Sequence, residues 1–465
     1  MSMDLIGKLK SDRIRWLELQ FTDFMGGLQH ITVPSHAVGE AEVTKGFGKL
    51  DGSSIKGFKE IFESDMILKP DADTYRKLPW QNETARVFCN AINSDGSEFT
   101  RDPRTTAMRT ERYLAAEGYD KAYFGPEPEF FIFDDVKVNA HNAHAGQSYS
   151  IHSIESPWHG DNKGQFVNFK EGYYPACPVD TLTALRQEIC MVMEDNFGVP
   201  IDAHHHEVAT AGQCEINMRY DTLTNMADNL ATFKYVTRNV AHKYGKVATF
   251  MPKPIFGDNG SGMHVHSSLW KNGRNTFYDE NEPYAQISQT GRYYIGGLIA
   301  HGRALSAIVA PTTNSYKRLV PGYEAPVNLA WSKCNRSAAV RIPANPGERA
   351  KRLEYRPADP AANGYLAFSA IVLAGLDGVK KKIEPGDPVD QNIWHLTNEK
   401  KRELGIKELP GSLTEAVTEL QRDSDFLKPV WTSDLIDTHC AIKLEEDKQN
   451  SIRPTPWEFM QYLKA

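Results

Sequence analysis

The sequence predicts an α+β protein with a small N-terminal domain built on a curved sheet and a larger domain after it. A chain of 465 residues exceeds one ordinary hydrophobic core, so we expect about two or three domains. Short alternating segments such as residues 16–21, interrupted by glycine and proline, run from Arg13 to about Asn93 and indicate strands. A turn-rich stretch, residues 95–103, follows them. We therefore place the boundary near residue 100, with domains at 1–100 and 101–465.

Two amphipathic helices are predicted in the larger domain. The first has Asp102 as its N-cap and Pro103 in its first turn, and it ends at Gly118. The second runs from a cap at Asp180 to Gly198. Its apolar side chains recur at helical spacing and share one face: Leu182, Leu185, Ile189 and Met193.

Two other segments have unusual compositions. Residues 139–164 are polar and rich in histidine, glycine and serine, which favours an extended surface insertion. Such a loop either serves function or assembly or is simply solvated. Residues 456–463 are too apolar for a free tail, so we expect them to dock on another surface.

The composition excludes several classes of protein. The formal net charge of −7 and the isoelectric point near 6.1 argue against nucleic acid as the main partner. The N-terminus lacks the pattern of a signal peptide, and no run approaches the roughly 18 apolar residues of a membrane-spanning helix. The six cysteines are scattered without a C-x-x-C pair, which indicates free thiols in a reducing compartment. We expect a soluble cytoplasmic protein with no membrane partner.

The most informative segment is a triple-histidine run that leads into one glutamate, with a second glutamate eight residues later. Small residues around Ala211 predict a tight hairpin turn. With the turn centred on Ala211, Glu207 and Glu215 would be directly opposed, roughly 4.5–5.5 Å apart at Cβ. Like charges so close are tolerated when a cation lies between them or one carboxylate is protonated. We interpret the hairpin as half of a metal site.

A second carboxylate pair lies in residues 123–131. The two-residue period of a strand puts Glu127 and Glu129 on one face. Pro126 and Pro128 cannot donate ladder hydrogen bonds, which predicts that this strand lines a sheet edge or an opening. The alternative is a pair of surface glutamates beside a core strand, and the flanking aromatic residues make it less favoured here.

Two further patterns add imidazole and guanidinium groups. Residues 259–266 turn through glycines into a strand that carries His264 and His266 on one face, although a lone histidine is more often a satisfied core or surface residue. Residues 352–356 also alternate, and taken alone they favour a charge ladder on the surface. Their three charged side chains share one face: Arg352, Glu354 and Arg356.

Together these elements supply five glutamates and one or two histidines on strand faces. Oxygen ligands with a minority of imidazole suit Mg²⁺ or Mn²⁺ better than structural zinc. Five carboxylates exceed the need of one divalent ion. The set therefore indicates two metals, an arrangement that serves phosphoryl or hydrolytic chemistry.

Basic side chains lie close in sequence to these carboxylates: Lys317, Arg318, Arg336, Arg341, Arg352 and Arg356. Guanidinium groups bind phosphates and carboxylates bidentately, although some of these arginines could only form ion pairs with the ligand carboxylates. The sequence has no Walker motif, and residues 46–48 lack the spacing of a dinucleotide fingerprint. The residues themselves therefore predict a two-metal, phosphate-handling enzyme without a P-loop.

Six motifs, in this order along nearly the whole chain, resemble glutamine synthetase of the bacterial class I type. They are residues 51–54 (DGSS), 125–129 (GPEPE), 204–215 (HHHEVATAGQCE), 259–264 (NGSGMH), 317–324 (KRLVPGYE) and 335–337 (NRS). The resemblance implies a small N-terminal β-grasp-like domain and a large C-terminal catalytic domain with a curved antiparallel sheet, as in the glutamine synthetase and guanidino kinase fold. It also implies a homo-oligomer, a dodecamer of two stacked hexameric rings, with each active site between neighbouring subunits.

The implied reaction converts ATP, L-glutamate and ammonia to glutamine, ADP and phosphate through γ-glutamyl phosphate. Two ions, Mg²⁺ or Mn²⁺, would have separate ligand sets: Glu129, Glu207 and Glu215 for one, and Glu127, His264 and Glu354 for the other. The residues implied to bind glutamate are Asn259, Gly260, Arg318, Glu324 and Arg356. Those implied to contact ATP are Glu207, Tyr220, His266, Ser268, Arg336, Arg341 and Arg352, with Tyr220 in place of a more usual Phe against adenine.

The resemblance also implies three catalytic residues. Asp51 would bind ammonium from across the subunit boundary and help remove its proton. Glu324, on a flap formed by residues 321–325, would close over the intermediate and take a proton, and Arg336 would act on the transferring phosphoryl group. Without the resemblance, residues 51–53 favour an ordinary turn.

Two positions depart from the pattern of the family. Members of this type often carry an adenylylated tyrosine where this chain has Trp394. Because tryptophan has no hydroxyl group, we predict that this regulatory route is absent. Phe58 stands where the family often has Trp, and we expect this change to be neutral.

Three competing hypotheses remain. A related ligase could join glutamate to an organic amine such as a polyamine, but Asp51 and Glu324 favour ammonia. An inactive structural relative would be expected to lose metal ligands or phosphate-binding arginines, and this chain has them all. A generic two-metal hydrolase would need neither so many arginines nor the flap.

Overall fold

The N-terminal sheet is built from residues 16–93 of the computed structural model, which describes residues 3–142, 144–344 and 347–465. Its strands are β1 (Trp16–Thr22), β2 (Leu28–Pro34), β3 (Phe47–Asp51), β4 (Asp65–Lys77) and β5 (Thr84–Asn93). Their order is β2-β1-β5-β4-β3, with β1 and β5 parallel and the other neighbours antiparallel. The mixed sheet predicted for this region is confirmed.

A larger, curved and mostly antiparallel sheet carries the candidate site. The remaining strands are β6 (Lys121–Phe133), β7 (Asp135–Asn139), β8 (Ser148–His152), β9 (Ile201–His206), β10 (Gln213–Met218), β11 (Asp221–Thr222), β12 (Val247–Thr249), β13 (Met263–Lys271), β14 (Arg274–Asn275), β15 (Asn328–Leu329), β16 (Trp331–Lys333), β17 (Val340–Ile342), β18 (Leu353–Tyr355) and β19 (Lys407–Glu408). The sheet order is β16-β17-β18-β13-β6-β10-β9, with β11 and β12 paired to β6 and β14 to β13. Separate two-stranded sheets join β7 to β8 and β15 to β19.

The central strand of this sheet, β6, corrects one prediction and explains its prolines. It is not an edge strand, because it pairs with β13 on one side and with β10, β11 and β12 on the other. Within the described ladders, however, residues 125–128 pair only with β13. Glu129 donates its N–H to Gly262 O of the β13 side, so by alternation the ring nitrogens of Pro126 and Pro128 face the gap between β10 and β11. The strand therefore lines an opening.

Helices cover the sheets and form most of the core. They are α1 (Leu5–Ser11), α2 (Glu40–Lys45), α3 (Pro103–Ala116), α4 (Thr183–Phe197), α5 (Leu223–Lys243), α6 (Gln289–Ala300), α7 (Gly302–Val309), α8 (Ser315–Arg318), α9 (Gly364–Lys381), α10 (Asn398–Glu403), α11 (Leu413–Arg422), α12 (Ser433–Ser451) and α13 (Pro456–Tyr462). Helix α9 is almost wholly buried and packs against α3, α5 and α6. No helix among the described residues is long and apolar enough to span a membrane.

The first predicted helix is confirmed, and the second begins later than predicted. Asp102 caps α3 by accepting the N–H of Thr105. Helix α4 ends at Gly198 in the left-handed conformation and buries its predicted apolar face, but it starts at Thr183. Asp180 does not cap it, because its carboxylate is held by the N–H of Leu182 and by Arg186.

The two segments of unusual composition differ from their predictions in part. Strands β7 and β8 form an exposed hairpin, as expected for a surface insertion, with residue 143 outside the described residues. After the hairpin, however, Ser153, Glu155 and Ser156 are buried. The C-terminal residues 451–465 are exposed, so the predicted docking is not found within the described chain. All six cysteines are free thiols, as predicted.

Candidate active site

Glu129, Glu215 and His205 lie side by side across three strands. The register pairs Glu129 of β6 directly with Glu215 of β10, and Glu215 with His205 of β9. Directly opposed residues share one face of a sheet. Two carboxylates and an imidazole therefore meet on one face of the larger sheet, across the three strands at its β9 end.

The predicted hairpin is present, but its register differs by one residue on each strand. The N–H of Glu207 donates to Gln213 O at 2.9 Å, so Glu207 opposes Gln213 and lies diagonal to Glu215. Ala211 and Gly212 have φ values of 59° and 84°, and their left-handed conformations centre the turn on Thr210. The prediction that Glu207 and Glu215 are directly opposed is therefore wrong. In the hairpin His205 opposes Glu215, and Glu129 opposes it from the neighbouring strand β6.

Within the part of the chain that the structure describes, two groups of potential ligand atoms result, each with all its atoms within 4.8 Å of one another. One contains His205, Glu207 and Glu215, and the other contains Glu127, His266 and Glu354. His264, which is paired with Glu127, also belongs near the second group, since its Nδ1 is 3.5 Å from Glu127 and 3.8 Å from Glu354. His205 is not among the ligands predicted from the sequence, and His266 is predicted there to contact the nucleotide. The alternation of the triple-histidine strand was the available signal for His205.

The carboxylates of the first group concentrate negative charge in a buried place. Burial and the charge of Glu215 raise the pKa of Glu207 to about 7. Burial also raises the pKa of Glu129 and of Glu215, and for Glu129 the charges of Glu207 and Glu215 add to this effect. The protein does not supply enough positive charge to neutralise carboxylates in this position. Their oxygen atoms are suitable ligands for a hard divalent cation.

Glu354 is fully buried, which overturns the surface-ladder interpretation. It accepts a hydrogen bond from Nη1 of Arg356 at 2.6 Å and another from Nε of Arg341. Burial alone would raise the pKa of Glu354, but the charge of Arg356, with those of both histidines and Arg341, lowers it to about 2. These two arginines thus form the ion pairs considered as the alternative to phosphate binding.

An acidic pocket of about 220 Å³ collects most of the predicted residues. Those that line it are Glu127, Glu129, Glu207, Glu215, Asn259, Gly260, His264, Arg318, Glu324, Arg336, Arg341, Glu354 and Arg356. Arg318 is buried, and its guanidinium group donates to the carbonyl oxygens of Arg356, Pro357 and Ala358. A Cβ atom at Gly262 would lie 2.6 Å from Nη2 of Arg318, so a side chain there would displace the guanidinium group from this position.

An aromatic pocket of about 400 Å³ adjoins the acidic pocket, and Glu127 and Asn217 line both. It contains the other residues predicted to contact ATP: Tyr220, His266, Ser268 and Arg352. Tyr123 lies between Tyr220 and Trp270, with ring centroids 5.3 and 5.7 Å away. Tyr123 and Trp270 are not among the residues predicted from the sequence, because only the pairing of β6 with β13 brings them together. The size and aromatic lining suit a nucleotide base.

Comparison with known proteins identifies the family. The description "Glutamine synthetase, catalytic domain" matches residues 100–462, and "Glutamine synthetase, beta-Grasp domain" matches residues 13–94. The chain is 58% identical over 461 residues to a glutamine synthetase of Sulfolobus acidocaldarius, covering 98% of this chain and 97% of the relative. It is 48% identical over 468 residues to that of Salmonella typhimurium, covering 98% of each. The chain belongs to the glutamine synthetase family.

Structural similarity agrees with this family assignment. A cryo-electron microscopy structure of Plasmodium falciparum glutamine synthetase superposes with a TM-score of 0.89 at 27% identity, covering 99% of each chain. The N-terminal sheet is accordingly a β-grasp domain, and the larger sheet belongs to the glutamine synthetase catalytic domain. The predicted fold class is confirmed.

Asp51 is the predicted site residue that this glutamine synthetase chain does not bring to either pocket. It ends β3 on the surface, and its carboxylate accepts hydrogen bonds from the N–H and hydroxyl of Ser53 and from the hydroxyl of Ser54. It is absent from the described lining of both pockets. Within one chain, therefore, residues 51–54 form an ordinary turn.

The buried end of the insertion supports the hairpin that carries Glu207. Glu155 accepts hydrogen bonds from the N–H and hydroxyl of Thr181 and lies 3.1 Å from Nε2 of His206. Nδ1 of His206 contacts the carbonyl oxygens of Gly172 and Glu207 at 2.7 Å. Burial alone would lower the pKa of His206, but the contact with Glu155 raises it. Glu155 is not among the residues predicted from the sequence, because no local pattern links residue 155 to residue 206.

Proposed function

We propose that this chain ligates ammonia to the γ-carboxylate of L-glutamate with consumption of ATP, forming L-glutamine, ADP and phosphate. One observation carries the proposal: a buried acidic pocket lined by four arginines adjoins an aromatic, nucleotide-sized pocket through Glu127, in a chain of the glutamine synthetase family. Divalent metal and ATP are the cofactor and co-substrate that this family implies.

The reaction has two steps. A γ-carboxylate oxygen of glutamate attacks the γ-phosphorus of ATP, and ADP leaves with the electron pair of the broken P–O bond. Ammonia then attacks the carbonyl carbon (Cδ) of the resulting γ-glutamyl phosphate, phosphate leaves, and the nitrogen loses a proton. The first step must bring a carboxylate against a polyphosphate. The arginines of the acidic pocket offset this repulsion: Arg318, Arg336, Arg341 and Arg356.

Two divalent ions, Mg²⁺ or Mn²⁺, fit the donor sets. Glu129, Glu207 and Glu215 would hold one, with His205 beside them. Glu127, His264 and Glu354 would hold the other, with His266 beside them. When bound, the ions neutralise phosphate charge and act as Lewis acids.

The two substrates fit the two pockets. Glutamate would bind through Asn259, Gly260, Arg318, Glu324 and Arg356, all of which line the acidic pocket. The base and sugar of ATP would contact Tyr220, His266, Ser268 and Arg352 in the aromatic pocket. Its phosphates would reach Glu207, Arg336 and Arg341, and Arg336 would stabilise the transferring group.

We further propose a cytoplasmic homo-oligomer, a dodecamer of two hexameric rings, in which Asp51 completes the site of a neighbouring subunit. Ile61 and Phe62 near Asp51 are 82% and 80% exposed in the single chain, and the C-terminal helix α13 exposes apolar side chains as well. Exposed apolar surface of this kind supports assembly. Asp51 would bind ammonium and help to deprotonate it, and Glu324 would take the second proton. A domain boundary near residue 100 would put Asp51 in the small domain and the residues that line both pockets in the large domain.

Phosphate release tests the proposal. The purified protein is given ATP, Mg²⁺ and L-glutamate with ammonium, hydroxylamine or a polyamine. We expect release that depends on both glutamate and ammonium, with glutamine as the product. Release with the polyamine alone would assign the protein to the organic-amine ligases and contradict the role of Asp51. An assembled protein without turnover on any amine would be an inactive structural relative.

A further inference from the structure

The flap residue Tyr323 lies under two ammonium groups. Nζ of Lys253 is 3.9 Å from the centroid of the Tyr323 ring, and Nζ of Lys170 is 4.4 Å from it. Nζ of Lys170 also donates a hydrogen bond to Gly322 O at 3.1 Å. Ammonium groups at these distances are attracted to the negative face of an aromatic ring. Two cations thus contact the residue that precedes Glu324.

Both lysines are fixed to one buried residue, Asp258. The N–H of Lys170 donates to its carboxylate oxygen Oδ1 at 2.9 Å, and Nζ of Lys253 donates to its backbone carbonyl oxygen. The same carboxylate accepts the N–H groups of Thr210 and Asn259, in the hairpin turn and in the acidic pocket. Through the lysines and Asp258, the flap is therefore connected by hydrogen bonds and ring contacts to the residues proposed to bind metal and glutamate.

A second anchor holds Lys253. Its N–H donates to Oδ1 of Asn314 at 2.7 Å, and its carbonyl oxygen accepts from Nδ2 of the same residue at 3.0 Å. Lys253 therefore presents its ammonium group from a fixed backbone.

The flap itself has an unfavourable backbone conformation. Gly322 has a φ of 91°, which glycine adopts readily, but Glu324 has a φ of 57°. Residues with a Cβ atom rarely adopt this left-handed conformation unless their surroundings impose it. The contacts of the two lysines with Tyr323 and Gly322 adjoin Glu324. They can hold Glu324 in this left-handed conformation.

We propose that Tyr323, clamped by Lys170 and Lys253, is the positioning residue that keeps Glu324 over the acidic pocket and so directs the acyl phosphate to ammonia rather than to water. The inference rests on the proposed function. Attack by ammonia forms a bond from nitrogen to the carbonyl carbon (Cδ) and breaks the bond between that carbon and the phosphate oxygen, and the proton lost from the nitrogen goes to Glu324. Attack by water breaks the same bond and returns glutamate and phosphate. The clamp therefore determines how many glutamine molecules form per phosphate released.

The ratio of glutamine to phosphate tests the clamp, measured on the assembled full-length protein with ATP, Mg²⁺, glutamate and ammonium. The wild type is expected to give a ratio near one. Tyr323→Leu should lower the ratio about three- to tenfold, because two cation–π contacts are lost. Tyr323→Phe keeps the ring and should keep the wild-type ratio. The double variant Lys170→Met/Lys253→Met should behave as Tyr323→Leu does, and it provides the test if Tyr323→Leu does not fold.

A matched control is Tyr113→Leu, on helix α3. It removes a ring whose centroid lies 5.4 Å from Nζ of Lys380. It should leave the ratio unchanged. If the wild type, Tyr323→Leu and the double-lysine variant all gave a ratio of glutamine to phosphate near one, the clamp would be overturned. Equal losses in Tyr323→Phe and Tyr323→Leu would assign the effect to the hydroxyl group and also overturn it. A wild type that makes no glutamine from ammonium would instead contradict the proposed function.

Discussion

Glu129 and Glu215 oppose each other directly on neighbouring strands of the catalytic sheet, and both are buried. Opposed like charges destabilise a sheet, and burial makes their ionisation harder still. The arrangement is unfavourable for folding alone and favourable for binding a cation. It therefore leads to a prediction about stability that does not depend on turnover.

Glu215→Gln should raise the melting temperature of the metal-free protein, because it removes a repulsion of up to about 1 kcal/mol. Excess Mn²⁺ or Mg²⁺ should raise the melting temperature of the wild type and have much less effect on the variant. Thermal unfolding with and without metal measures both effects. Glu98→Gln, at an exposed ion pair with Arg112, is the control and should respond to metal as the wild type does. Equal metal responses of Glu215→Gln and the wild type would remove Glu215 from the ligand set.

The stability of the protein should decrease as the pH rises above about 6.5 because of His301. Its Nδ1 lies 2.8 Å from Asp423 and its Nε2 2.9 Å from Asp377. Burial alone would lower the pKa of His301, but the two carboxylates raise it. The folded state thus holds this proton more tightly than the unfolded state, so the stabilisation is complete below the unfolded pKa and is lost as the pH rises through the folded pKa.

Thermal unfolding from pH 6 to pH 9 measures this effect in the wild type and in His301→Gln. The difference between the two should shrink by about 1–2 kcal/mol across the range, the contribution of hydrogen bonds to a charged group. A constant difference would show that His301 is neutral in the folded protein.

Glu155→Ala should destabilise the protein by about 3–5 kcal/mol, because it leaves the buried His206 without its partner. Glu155→Gln should cost less, since an amide can still accept from Thr181. The midpoint of urea unfolding measures the loss, with Glu171→Ala on the exposed surface as the control. A change in Glu155→Ala no larger than in the control would mean that the insertion does not support the hairpin.

Tyr220→Ala should raise the KM for ATP roughly tenfold, since base stacking on an aromatic ring contributes about 1–3 kcal/mol. Tyr220→Phe should retain the wild-type KM, because the ring suffices. Steady-state kinetics with varied ATP measure both variants, and Tyr244→Ala, which is exposed away from the pocket, serves as the control. An unchanged KM in Tyr220→Ala would place the base elsewhere.

The sequence predicts those features that depend on local patterns. The cap at Asp102, the strand alternation around Glu127 and Glu129, and the apolar face of α4 follow from neighbours a few residues apart. The predicted register of the hairpin is wrong because the left-handed conformations of Ala211 and Gly212 move the turn by one residue. The composition of the turn does not specify these conformations. The prediction that Asp180 caps α4 is wrong because Arg186 binds the carboxylate of Asp180.

Features that depend on distant pairings could not be predicted. Glu129 faces Glu215 only because β6 and β10 adjoin, and Tyr123 meets Trp270 only because β6 and β13 adjoin. The burial of Glu155 depends on His206, fifty-one positions away. Sequence motifs could name the residues of the site through their resemblance to a family, but only the sheet order shows which of them meet.

The transfer of oxygen from glutamate to phosphate tests the central claim most directly. L-Glutamate labelled with ¹⁸O in its γ-carboxylate is incubated with the protein, ATP, Mg²⁺ and ammonium, and the released phosphate is analysed by mass spectrometry. The proposed acyl phosphate requires each phosphate to carry one labelled oxygen for every glutamine formed, because the attacking carboxylate oxygen leaves with the phosphorus. Phosphate without label would mean that water attacks ATP directly, and it would contradict the assignment of this site to glutamate–ammonia ligation.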